Sequence, residues 1–192
     1  MIVAIVLGVV LLLCVGGSLS AYLLLKDDVG EVVEATQTRV VVPETLNGRP
    51  KATDADLQGK LDASMAGMRK ALPRATSSVG QAYGKKRADG QYEELILVQA
   101  VSNVTLDPQK ALDEALRGLQ GAGIQADGLT PVDPGPLGGH ARCGDNKVGQ
   151  VEMAICVWMD RGSFGLITYY FHSAADLQRE LVAIRGAVQQ RA

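Results

Sequence analysis

The sequence predicts an α+β protein: an N-terminal transmembrane helix, then a two-layer domain of mainly antiparallel sheet with helices packed on one face. Three observations predict it. From Ile2 to Leu25 there is no charged residue, and every Lys, Arg, Asp and Glu lies at or beyond Lys26. Farther on, strand-like runs are joined by short Gly-rich turns, the mark of antiparallel hairpins. Segments with apolar residues at three- and four-residue spacing fall between those runs, which sets helices against the sheet.

Residues 1–26 read as a transmembrane anchor. At about 1.5 Å per residue the apolar run reaches roughly 36 Å as a helix, enough to cross a ~30 Å hydrocarbon core with some tilt. A cleavable signal peptide would begin with basic residues and hold a shorter apolar stretch. Here no Lys or Arg precedes the run, and Tyr22-Leu23-Leu24-Leu25 carries it past the small residues Ser18 and Ser20. Cys14 follows Leu11-Leu12-Leu13, where a lipid-attachment site wants small residues, so it reads as an apolar packing residue. The positive-inside rule does not orient the helix, because Lys26 is followed at once by Asp27 and Asp28.

Residues 27–50 read as a juxtamembrane linker, with a short edge strand at Arg39-Val40-Val41-Val42-Pro43. Residues 51–192 are the expected domain. Its first helix starts at a Thr53 or Asp54 cap and carries the stripe Leu57, Leu61, Met65, Met68, Leu72 before Pro73 ends it. Two strands follow, Ser77 to Tyr83 and Glu93 to Val104, joined by a charged hairpin turn over Gly84 to Gly90 that holds Lys85-Lys86-Arg87. Asp107-Pro108 opens a second helix whose apolar face is Ala111, Leu112, Ala115, Leu116 and Leu119. Gly121 to Gly139 is dense in Gly and Pro and reads as loop, with a short strand near Gly128 to Val132.

The last third has the strongest strand signals. His140 to Cys143 pairs with Val151 to Met159 across a turn at Gly144-Asp145-Asn146-Lys147, and Arg161-Gly162-Ser163 turns into Phe164 to Phe171. Met153, Ile155 and Val157 face one side of the middle strand and Ala154, Cys156 and Trp158 the other. Both sides are apolar, so this strand belongs at the centre of its sheet. Ser173 and Asp176 form a capping box ahead of the helical stripe Leu177, Leu181, Ile184, Val188.

Chemistry is harder to find. A net charge of −2 with mixed signs argues against a nucleic-acid binder, which would show a clear basic excess. The two histidines, His140 and His172, sit in no recognisable motif, and Glu93 and Glu94 point to opposite faces of a strand. Asp127, Asp133 and Asp145 lack the spacing of a calcium loop, and the glycines match no phosphate-binding or dinucleotide pattern. No catalytic, cofactor or metal residues are therefore predicted. Cys143 and Cys156 flank the expected hairpin, where cross-strand Cβ atoms come within about 4.5–5.5 Å, so they are the expected disulfide. Two free thiols in a reducing compartment remain the alternative. A disulfide points to an exported domain.

The tract Gly138-Gly139-His140-Ala141-Arg142-Cys143-Gly144, then Cys156-Val157-Trp158-Met159-Asp160, then Gly165, resembles a pattern in membrane-anchored envelope proteins of actinobacteria, a group without an assigned activity. The resemblance covers roughly the last 60 residues, and implies a disulfide-bearing domain held at the cell membrane, facing out of the cytoplasm. The expected function is a non-catalytic module that binds an envelope protein or polymer. Two alternatives stay open: an envelope hydrolase built from residues distant in sequence, and a structural subunit of a membrane complex.

Overall fold

The computed structural model describes residues 30, 32–121 and 123–191, so the apolar segment Ile2–Leu25 lies outside the described residues. Among them, no helix is long and apolar enough to cross a membrane. The described chain forms an α+β domain on a six-stranded antiparallel sheet. Its strands are β4 (Ser77–Lys86), β5 (Tyr92–Ser102), β6 (Thr130–Val132), β7 (His140–Val148), β8 (Val151–Met159) and β9 (Ser163–Tyr170), in the spatial order β4-β5-β9-β8-β7-β6. The helices are α1 (Ala55–Ala71), α2 (Pro108–Gly121) and α3 (Ala174–Val188).

The helices lie on both faces, not on one. Met153, Ile155, Val157 and Met159 of β8 pack with Leu112 and Leu116 of α2 and Met65 of α1. Ala154, Cys156 and Trp158 pack instead with Leu177, Leu181, Ile184 and Val188 of α3. The physical reason was already in β8: a strand apolar on both sides needs cover on both sides. The expected two-layer arrangement is thus a three-layer one. Each α3 leucine taken out of water adds about 1.5–3 kcal/mol to the side that one layer would have left wet.

The expected linker is also part of the fold. Its residues 32–37 are helical, and β1 (Arg39–Val40) pairs antiparallel with β10 (Gln189–Gln190) at the chain's other end. Then β2 (Thr45–Leu46) and β3 (Arg49–Pro50) form a small hairpin across Asn47-Gly48. Both turn residues have positive φ, 47° and 77°, as a two-residue type I′ turn requires. Val40 and Leu46 are buried in the α3-side core, so the domain begins well before residue 51.

Local details move two turns. The β7–β8 hairpin turns at Gly149-Gln150 rather than at Gly144 to Lys147, since Val148 pairs with Val151. Gly149 holds φ 64° at the first turn position, the place where a type II′ turn needs it. Likewise β4 runs on to Lys86, and the turn falls between Lys86 and Tyr92. Asp54 occupies the N-cap of α1 without a capping bond; its carboxylate instead accepts from the Lys86 ammonium and the Tyr92 hydroxyl. The capping box of Ser173 and Asp176 forms as expected, and Asp107 caps α2 through the Lys110 amide at 3.0 Å.

Candidate functional site

Cys143 and Cys156 are direct cross-strand partners, with Cα atoms 4.1 Å apart and sulfurs at bonding distance. Both are fully buried against α3. The motif residues around them are structural. Trp158 lies across its cross-strand partner Gly165, whose hydrogen leaves the only room for the indole, and its Nε1 donates to Ser163 Oγ at 3.1 Å. At Gly139 a Cβ would meet the Asp160 Cβ at 2.7 Å, so the Gly-rich loop can close over the end of β8.

Asp160, 2% exposed, ends that strand and organises the turn beyond it. Its Oδ1 accepts from the amides of Gly162 and Ser163, both at 2.7 Å. Its Oδ2 accepts from Arg185 at 2.6 Å, Gln189 at 2.5 Å and Arg191 at 3.2 Å. Arg185, 1% exposed, also donates to the carbonyls of Pro134 at 2.9 Å and Gly138 at 2.7 Å, which pins the Gly/Pro loop to α3. Burial pulls its pKa down against the support of Asp160. A cleft of about 470 Å³ opens beside this cluster, next to His140. The polar side chains that Asp160 gathers already answer one another, so they hold the fold instead of waiting for a ligand.

The other end of the sheet is built differently. A cleft of about 520 Å³ lies between the β7–β8 hairpin and the start of α3, lined among others by Asp145, Lys147, Glu152, Phe171 and His172. Phe171 stands at its rim with φ 65° and is 57% exposed. A bulky side chain in the left-handed region costs about 1–2 kcal/mol, and burial offsets only part of it here, because the ring meets Tyr170 but stays mostly in water. The neighbours fix this geometry. The Phe171 amide donates to Glu152 O at 3.0 Å, and the Ala174 amide donates to Asp145 Oδ1 at 2.6 Å. Val148 and Val151, also exposed, extend the apolar surface along the hairpin tip.

Behind the cleft, His172 stacks on Tyr169 with ring centroids 3.9 Å apart. The Tyr169 hydroxyl accepts from Arg49, which is 6% exposed and also pairs with Glu94 at 2.6 Å and Glu180 at 2.7 Å. Burial alone would lower the Arg49 pKa, but the Glu180 hydrogen bond and charge raise it. Burial would raise the pKa of Glu94 and Glu180; their bonds to Arg49 hold both below the ordinary value. A residue of the supposed linker thus ties β5, β9 and α3 together. Sequence reasoning missed it, although Asn47-Gly48 two residues earlier is the strongest short hairpin signal there is.

His140 and His172 are not brought together. His140 pairs with Met159 and Tyr170 pairs with Met153, at opposite ends of β8, about 20 Å apart at strand rise. Among the described residues, no group of three or more His, Cys, Asp or Glu could hold a metal ion. Comparison with protein-family models, curated proteins and solved structures finds no match to this chain.

Proposed function

We propose that the chain is a single-pass membrane protein whose disulfide-bearing domain lies outside the cytoplasm. The domain acts as a non-catalytic binding module, engaging an envelope protein or polymer at the hairpin-tip cleft. The observation that carries this reading is Phe171: an aromatic residue held at φ 65° and left more than half exposed, with its ring tilted against Tyr170. Strain of this kind persists where the surroundings impose it, and it collects at binding surfaces. Val148 and Val151 supply apolar contact, while Lys147 and Glu152 supply charge for register. The outward topology is supported by the sulfur pair of Cys143 and Cys156, the resemblance to actinobacterial envelope proteins and the uncharged run Ile2–Leu25.

A photo-crosslinking residue in place of Val151, with the full chain expressed in its membrane, tests the binding site. A discrete product that disappears when Phe171→Gly is added is the expected result. Products indifferent to Phe171, or none at all, would sink the reading. Topology is tested separately by counting thiols in the denatured, unreduced chain. Of its three cysteines, Cys14 alone should react; three reactive thiols would place the domain in a reducing compartment.

A further inference from the structure

We infer that the end of the domain opposite the hairpin tip rests on the bilayer, with Leu106 entering the headgroup region. The inference rests on the membrane-anchor reading above. Leu106 is 75% exposed, the most exposed large apolar residue described, and Val104 beside it is also exposed. Neither belongs to the buried core clusters of the described residues. Their loop is nevertheless held in place: the Thr105 amide donates to Arg161 O at 2.8 Å and the Asn103 amide to Gly162 O at 3.0 Å. Leu106 is therefore presented by an ordered loop, not left on a frayed one.

The same β8–β9 turn receives the beginning of the described chain. Ala35 and Thr38 lie so close to Gly162 that a Cβ there would meet Thr38 Cβ at 2.8 Å and Ala35 Cα at 3.0 Å. Pro108, two residues past Leu106, shares a cleft wall with Ala35 and Thr38. The apolar run ends at Leu25 and the described chain opens at Gly30. At about 3.5 Å per residue, the few residues between them reach at most roughly 17 Å. A bilayer holding the apolar run is then tethered within roughly 17 Å of Gly30, five residues before the Ala35 that packs against the turn holding the Leu106 loop.

Charge at this end is mixed. Lys110 on the first turn of α2 and Arg74 after α1 are exposed, as are Asp107 beside Leu106 and Glu34, and the Thr76 amide donating to Ser102 O at 3.0 Å brings the Arg74 segment to this end. The apolar loop and the short tether therefore carry the placement, with Lys110 and Arg74 positioned to meet headgroup phosphates. The hairpin tip then points away from the membrane, where a partner can reach Phe171.

The test reconstitutes the full chain in phosphatidylcholine–phosphatidylglycerol vesicles whose acyl chains carry bromine, a contact quencher of tryptophan. The native Trp158 is fully buried and gives a constant background. Leu106→Trp should show a blue-shifted emission that the brominated lipid quenches, and Val104→Trp should follow in weaker form. Val151→Trp at the tip should show neither. Unquenched emission from both loop variants, or quenching at Val151→Trp instead, overturns the inference. An alkaline wash separates the two readings. If the chain is stripped from the vesicles, the anchor reading falls and takes this inference with it. If the chain is retained while both loop tryptophans stay unquenched, the inference falls alone.

Discussion

The two ends of β8 are built on opposite terms. Beyond Met159, Asp160 gathers two backbone amides and three side-chain donors, and every group in the cluster is paid for by another. At the Val151 end, the β7–β8 hairpin leaves Val148 and Val151 exposed, and Phe171, just past β9, is exposed beside them in a left-handed conformation. The difference teaches how a small domain can carry a strained surface. Strain at one end is tolerated because burial, the Cys143–Cys156 pair and the Asp160 cluster over-determine the rest of the sheet.

The largest effect should come from the locked end. Arg185→Ala leaves the Asp160 carboxylate buried with its main cation gone, at a cost of about 3–5 kcal/mol in chemical denaturation. Lys147→Ala, exposed at the tip, should stay within about 0.5 kcal/mol of wild type. Equal effects from the two would erase the distinction between the ends. Next is the sulfur pair, which closes a loop of sequence separation 13. Replacing both cysteines with alanine should cost about 3 kcal/mol on the chain-entropy model, measured as a lower denaturation midpoint with an equal or slightly steeper slope as the uncross-linked chain expands.

Acid gives the third and smaller effect. Glu94 and Glu180 titrate below the ordinary value of 4.5 because Arg49 holds their charged forms. A depressed folded pKa means that the unfolded chain binds protons first as pH falls. The stability these pairs add is therefore whole above about pH 4.5 and is lost as pH drops through the folded values. Arg49→Met should flatten this acid limb of a stability–pH curve. A limb that survives unchanged would show that Arg49 does not tie the β2–β3 hairpin to the sheet electrostatically.

These elements were unequally legible in the sequence. Helix stripes, the α3 capping box, the centrality of β8 and the cysteine pairing all follow from local spacing, and local spacing is what a sequence displays. The second helix layer was legible too, because β8 is apolar on both sides, and only the assumption of one covered face hid it. Arg185 left a fainter mark: it sits four residues after Leu181 on the core face of its helix, where a charge needs a buried partner. Arg49 left only the Asn47-Gly48 turn. Phe171 left none. Its amide bonds the Glu152 carbonyl and the Ala174 amide bonds Asp145, both distant in sequence, and no pattern around residue 171 announces a positive φ.

A near-neutral effect on stability is the sharpest test of the comparison. Phe171→Gly removes the left-handed strain, worth about 1–2 kcal/mol, and adds back roughly 0.5–1 kcal/mol of unfolded-chain entropy. Little burial is lost, because the ring is mostly in water. Stability should thus stay within about 1 kcal/mol of wild type, or rise slightly, while crosslinking through position 151 is lost. Phe171→Leu keeps the strain and loses the ring, so it should weaken crosslinking without any gain in stability. A Phe171→Gly variant that falls apart would make Phe171 a packing residue, and the two ends of the sheet would then differ in exposure only.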